Sequence, residues 1–164
     1  MNVTQDELLE MLEYRDGELY WKKPNTNRLK PGDKAGSMSN CGYHHTMVKG
    51  TLYKTHRLIF LMFYGYLSEC VDHINCITTD NRIENLRAAT KAENCRNSRK
   101  QRDTKSGIKN VHWHGQAKMW RVQLTLNNKA VRIGMFKDKE LAELVAYEAR
   151  EKYHGKFANH GVLA

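Results

Sequence analysis

Proline is almost missing from this chain. There are only two, Pro24 and Pro31, and both fall within residues 22–35. Elsewhere periodic segments run without a proline break, so that stretch is read as the one long loop. Cysteine is sparse as well: Cys41, Cys70, Cys76 and Cys95 form no C-x-x-C pair. That spacing excludes a knuckle-type zinc site or a dithiol redox motif. Scattered reduced thiols in a cytoplasmic protein are the expectation, and zinc on Cys70, Cys76 and Cys95 is the alternative that lacks the usual spacing. No apolar run approaches the ~18 residues of a membrane span, and no secretory signal pattern is visible, so no membrane partner is expected. Acids are the minority, 18 against 27 lysines and arginines, giving a formal net charge of +9 and a sequence pI near 9.4. Such a balance favours a polyanionic partner, although ribosomal and membrane-surface proteins share it. Placement says more. Residues 82–109 hold nine lysines and arginines against three acids, concentrating the excess in one region.

What is present lies beside that region. Residues 71–97, VDHINCITTDNRIENLRAATKAENCRN, place Asp72 next to His73 and follow them with Asn81, Asn85, Asn94 and Asn97. Arg82, Arg87 and Arg96 are threaded between them. A core segment would space its apolar residues at period two or 3.6; here polar groups dominate. A carboxylate for a hard cation, a histidine able to take a proton and amides to orient both are the parts of metal-assisted hydrolysis. Guanidinium groups pair bidentately with phosphate, so a phosphodiester is the expected substrate.

This segment resembles the HNH endonuclease motif, the ββα-metal site, in the form found in phage-encoded homing endonucleases. There D-H-x-N-G precedes a short loop, then D-N-R-x-x-N-L-R, then a helix with a further Asn or His. The matching residues are Asp72-His73-Ile74-Asn75, Asp80-Asn81-Arg82, Asn85-Leu86-Arg87 and Asn94. The resemblance implies that His73 is the general base, that Asp72 and Asn94 hold one divalent cation, and that Asn85 braces the loop and so orients His73. Asn94 stands where many relatives have His, which makes the site oxygen-rich and favours Mg²⁺, with Mn²⁺ next, over Zn²⁺. Cys76 stands where relatives usually have Gly; a positive φ there would strain it.

Ahead of the motif, Thr4 and Glu7 have capping-box spacing for a short helix with Leu8, Leu9, Met11 and Leu12 as its apolar face. Asp16-Gly17 is a turn before a strand at 18–21. Short strands are expected at 43–48 and 51–53 around Lys49-Gly50. Residues 56–64 read as an apolar helix ending at Gly65, similar to the H-R-L helix of these endonucleases. His56 is either a buried histidine held by a hydrogen bond or a contact near the metal. This N-terminal third is read mainly as scaffold, with the lysines and Arg28 of the 22–35 loop facing DNA backbone. Val71-Asp72-His73 should be a strand, and 81–86 should lead directly into a helix reaching Asn97.

Residues 98–107 contain no apolar side chain and carry Arg99, Lys100, Arg102 and Lys105; they read as a charged linker that tracks DNA or is simply solvated. Beyond it the pattern alternates. Strands are expected at 111–114, 120–126 and 130–134. Trp120, Val122, Leu124, Leu126, Val131 and Ile133 should point inward, under a helix at 139–154 that offers Leu141, Ala142, Val145, Ala146, Ala149 and Tyr153. The other face would show Arg121, Gln123, Thr125 and Arg132, flanked by Lys109, His112 and His114, which suits a DNA groove. Residues 106–160 resemble the plant ethylene-response-factor (APETALA-two) DNA-binding domain, through Ser106-Gly107, Val111, Trp120, Gly134-Met135-Phe136, Glu140, Ala142, Ala146-Tyr147, Ala149, His154-Gly155 and Ala158-Asn159.

The combined expectation is an α+β protein: an HNH nuclease domain at 1–97, a basic linker at 98–106 and a DNA-binding module at 107–164. Catalysis would fall to His73 and Asn85, and metal binding to Asp72 and Asn94. DNA contacts would come from Arg82, Arg87, Arg96, Arg99, Lys100, Lys109, His112, His114, Arg121, Gln123, Thr125 and Arg132. The partner is duplex DNA, bound by a monomer or a DNA-induced dimer with no protein partner evident, in the cytoplasm of a bacterial host. The rival readings are a catalytically inactive DNA-binding regulator and an RNA-binding protein.

Overall fold

The computed structural model describes residues 3–24, 26–98, 105–127 and 129–161. Two compact units emerge, 1–90 and 91–164, where the expected boundary lay at 97. The fold is α+β, with several small antiparallel sheets and few helices. No helix among the described residues is long and apolar enough to cross a membrane.

The first unit starts with α1 (Gln5–Met11), whose capping box is complete: Glu7 N–H donates to Thr4 Oγ1 at 3.3 Å, and Thr4 N–H to the Glu7 carboxylate at 3.0 Å. Two otherwise orphaned donors are satisfied in this way. Leu8 and Leu12 are buried while Leu9 is exposed, and Leu12 already begins β1 (Leu12–Arg15), which pairs with β2 (Glu18–Trp21). Next come β3 (Ser37–Met38), β4 (His44–Val48) and β5 (Thr51–Lys54), a three-stranded antiparallel sheet in that order. α2 (Thr55–Tyr64) follows without a break and ends on Gly65, whose φ of 73° is the left-handed cap that glycine adopts without strain. Its Leu58, Ile59, Phe60, Leu61 and Met62 are buried with Leu8, Leu12, Leu19, Trp21, Val48, Val71 and Leu86. Each such large side chain stabilises the unit by roughly 1.5–3 kcal/mol.

The motif region departs from the expected loop-to-helix path. β6 (Cys70–His73) pairs antiparallel with β7 (Leu86–Ala89), aligning Asp72 with Arg87 and His73 with Leu86. A single 3₁₀ turn at Ile83–Asn85 precedes β7, and α3 (Lys91–Arg96) comes only after it. The missed strand is too short for alternation to stand out, since it is only four residues long.

α3 belongs to the second unit. Lys109 Nζ donates to the carbonyls of Arg96 at 2.8 Å and Ser98 at 2.5 Å, and Asn159 Nδ2 donates to Asn97 Oδ1 at 3.3 Å. β8 (Val111–His114), β9 (Met119–Leu126) and β10 (Lys129–Phe136) form a sheet with β9 in the middle. α4 (Lys139–His154) is capped by Asp138, which accepts the Leu141 N–H at 2.8 Å. Ala142, Ala146 and Ala149 of α4 are buried with Val111, Val122 and Leu124, and Trp120, Leu126, Ile133 and Val145 pack around them. The register shifts between Arg132 and Gly134. Val131 is 37% exposed, and Leu141 and Tyr153 are exposed. The alanine stripe, with Val145 at its edge, takes the sheet-facing side of α4.

Candidate active site

Two adjacent buried residues on β6, Asp72 and His73, are 4% and 5% exposed. Burial of both a carboxylate and an imidazole is unfavourable unless each is partnered. The β-hairpin supplies those partners. Arg87, opposite Asp72, places Nε and a terminal guanidinium nitrogen each 2.8 Å from Asp72 Oδ2. His73 Nε2 lies 3.0 Å from Asn81 Oδ1, and Asn81 is itself only 3% exposed. With the Asn81 oxygen accepting, Nε2 carries the hydrogen and the ring's lone pair sits on Nδ1.

Burial lowers the His73 pKa, against the Asn81 hydrogen bond and the charges of Asp72 and Asp80, which raise it. The imidazole is therefore neutral at physiological pH, the state a base requires. His56, on the first turn of α2, meets the His73 ring edge-on at 4.7 Å between centroids. Burial holds His56 at a pKa of about 3, so it too is neutral. His56 is buried, and its Nδ1 has no hydrogen-bond partner among the described residues.

The loop from 74 to 85 is tied by side-chain amides. Asn85 Oδ1 accepts the Asn75 N–H at 3.0 Å, while Asn85 Nδ2 donates to Asn75 Oδ1 at 3.0 Å and the Asp80 carbonyl at 2.8 Å. Asn75 Nδ2 donates to Asp80 Oδ2 at 2.7 Å. Asp80 takes Arg82 bidentately, 2.8 Å to each oxygen, and this pairing holds its pKa well below the usual carboxylate range. Cys76 sits in this loop with φ of 60°, a conformation costly for a residue with a Cβ. The β1–β2 hairpin supports the loop from behind: Ile83 N–H donates to the Tyr14 hydroxyl at 3.1 Å, and a Cβ on Gly17 would meet Arg82 N at 2.9 Å.

Comparison with known proteins assigns this region to a family. Residues 53–96 match the HNH endonuclease family. Protein 3.8 of Escherichia phage T7 is 33% identical over 90 residues, covering 54% of this chain and 72% of that protein. The chain belongs to the HNH endonuclease family. No solved structure matches it.

Within this HNH region, Asp72, His73, Asn85, Arg82 and Arg87 gather in one hairpin, but both arginines are engaged by carboxylates, Asp80 and Asp72. Asn94 is exposed and Arg96 half-buried, both on α3 in the second unit. Arg99 and Lys100 lie outside the described residues. Lys109 is 9% exposed, with its ammonium on backbone carbonyls. The remaining six share one sheet face. His112 pairs with Arg121, His114 with Met119 and Gln123 with Arg132, and Thr125 is in phase with Arg121 and Gln123. Asn81 was overlooked as a site residue, because nothing in sequence ranks it above its neighbouring amides; the fold alone brings it to His73.

Members of this family use a divalent cation. Among the described residues no cluster of three or more His, Cys, Asp or Glu could hold one. One buried carboxylate with amides nevertheless suits Mg²⁺, which is commonly held by one or two carboxylates and completed by substrate phosphate and water. The donor chemistry of Asp72 fits.

Proposed function

We propose that this protein is a homing-type HNH nuclease that hydrolyses a phosphodiester bond of duplex DNA, with the second unit helping to select the position. The observation that carries the reading is the buried His73, neutral, fixed by Asn81 through Nε2 and adjacent to the buried Asp72 carboxylate. In the reaction, His73 Nδ1 removes a proton from water as the water oxygen attacks phosphorus in line, and the P–O bond to the leaving 3′ oxygen breaks. Asn81 keeps the imidazole in the basic tautomer, and Asn85 holds the loop that follows His73 and carries Asn81. Asp72 and, by its place in the motif, Asn94 are the residues that would hold the cation, Mg²⁺ or Mn²⁺. When bound, that ion supplies positive charge to the phosphate and the leaving oxygen.

The outer face of the β8–β10 sheet supports the positional role. It presents His112, Arg121, Gln123, Thr125 and Arg132 together, a cationic and hydrogen-bonding surface opposite the apolar face that packs on α4. This matches the resemblance of residues 106–160 to the ethylene-response-factor module, in which such a sheet meets duplex DNA. One site per chain cuts one strand per visit, so a monomer nicks and a DNA-induced dimer makes a double-strand break. A phage origin and action in the host cytoplasm follow from the same reading.

Supercoiled plasmid and phage genomic DNA incubated with Mg²⁺, Mn²⁺ or EDTA, alongside His73→Ala, test it. Metal-dependent nicking or linearisation lost in the variant is the expected result. Cleavage retained by His73→Ala would remove His73 as the base. Duplex binding without cleavage by the wild type would leave a DNA-binding regulator.

A further inference from the structure

We infer that Lys54 and the amino end of α2 form a phosphate subsite for the DNA strand being cut, with Tyr43 holding the lysine in place; this rests on the nuclease reading above. Three independent features meet there. Lys54 Nζ lies 4.0 Å from the centroid of the Tyr43 ring, a cation–π contact that fixes a long side chain at low cost in hydration. The Tyr43 ring is 6.3 Å from that of His73 and 5.6 Å from that of His56. Lys54 is thus next to the proposed base.

The second feature is what Lys54 lacks. Elsewhere around the hairpin the cations are engaged: Arg82 by Asp80, Arg87 by Asp72, and Arg57 by the carbonyls of Ser68 and Glu69. Lysines 23, 34 and 49 pair with Glu10, Glu18 and Glu7. Among the described residues no carboxylate pairs with Lys54. A half-buried ammonium beside two buried imidazoles and with no carboxylate opposite is an incomplete charge arrangement, and an anion completes it.

The third is the helix itself. Lys54 is the N-cap of the ten-residue α2, makes no side-chain cap hydrogen bond, and is followed by no acid in the first turn. A lysine opposes the positive end of the helix dipole, so its position is unfavourable for the helix alone. First-turn His56 adds a buried Nδ1 without a hydrogen-bond partner among the described residues. A helix amino end, its dipole and an ammonium with no carboxylate partner at one point are the requirements of a phosphate site. The occupant is a phosphate of duplex DNA, because that is the polyanion whose bond His73 would attack.

Lys54→Met, Lys54→Arg and Tyr43→Leu should be compared with wild type by fluorescence anisotropy on a labelled ~30-base-pair duplex across a salt series, and by plasmid nicking in Mg²⁺. Lys54→Met should flatten the slope of log affinity against log salt by about 0.9, the effect of one lost phosphate contact. It should raise the half-saturating DNA concentration about tenfold, with a smaller fall in turnover at saturating DNA. Lys54→Arg should restore the slope, and Tyr43→Leu should weaken binding by a few-fold with the slope retained. An unchanged slope in Lys54→Met, or loss in Lys54→Arg equal to that in Lys54→Met, would overturn the subsite. Wild-type protein that binds duplex without nicking it would instead overturn the nuclease reading, while the salt slope still decides the subsite.

Discussion

Asn85→Asp exchanges one NH₂ for one oxygen and leaves the shape of the side chain intact. The Asn75 N–H still finds an acceptor, but the two bonds donated by Asn85 Nδ2, to Asn75 Oδ1 at 3.0 Å and the Asp80 carbonyl at 2.8 Å, are replaced by oxygen facing oxygen. At 8% exposure water cannot fully compensate. Asn75 Oδ1 keeps the Ile77 N–H at 2.8 Å, but the half-buried Asp80 carbonyl loses its side-chain donor at about 1–3 kcal/mol, and a charged oxygen facing both acceptors adds to that. The change should therefore destabilise the first unit by roughly 3 kcal/mol at pH 7. The new carboxyl escapes part of the penalty by keeping its proton, which restores one donor, so its folded pKa rises above the ~3.9 of an unfolded Asp. A raised folded pKa means that the native state binds more protons than the unfolded state, so stability relative to wild type falls as pH rises through that value. Urea unfolding of both proteins at pH 4.5 and 7, with peptide-resolved hydrogen exchange over residues 70–89, measures it. The deficit should be larger at pH 7, and exchange should rise in the loop that follows His73. A variant within about 0.5 kcal/mol of wild type at pH 7, or one whose deficit shrinks as pH rises, would refute the bracing role; typical surface changes are that small.

The other predictions concern backbone strain and acid sensitivity. Cys76→Gly relieves a residue held at φ of 60° and should stabilise the fold by up to about 1 kcal/mol, read from the urea midpoint. Destabilisation would mean that the Cys76 side chain contributes packing. In the second unit His154 is 7% exposed with neither ring nitrogen partnered among the described residues, and burial, with the charges of Arg96, Lys109 and Arg150, holds its pKa at about 4. A depressed folded pKa gives stability that is present above the unfolded value near ~6.5 and lost as pH falls towards the folded one, by at most about 3 kcal/mol. His154→Phe should flatten the loss of stability between pH 6.5 and 4; an equally steep profile would exclude His154 as its source.

Much of this protein could be read along the chain because its signals are local. The Thr4/Glu7 capping box, the Gly65 helix stop, the alternation of 120–126 and the uninterrupted helix at 139–154 depend on neighbours a few residues apart. The motif residues Asp72, His73 and Asn85 were legible because their side-chain types already suggest their chemistry. β7 was not, because four residues carry too little periodicity to separate a strand from a helix start. Nor were Leu141 and Tyr153, whose exposure depends on which side of α4 the sheet takes; a stripe of alanine allows closer approach than leucine.

By itself, then, the sequence determined the family, the chemistry on offer and most element boundaries, because residue identity and short-range sterics decide those. Only the tertiary structure decided which of many similar polar groups act together. Pairing β6 with β7 brings Arg87 to Asp72, closing the loop brings Asn81 to His73, and the junction of β5 with α2 leaves Lys54 over Tyr43 with no acid paired to it among the described residues. Hydrogen bonds and ion pairs act over about 3 Å, and residues eight to fifteen apart in sequence reach that distance only when the backbone between them has folded.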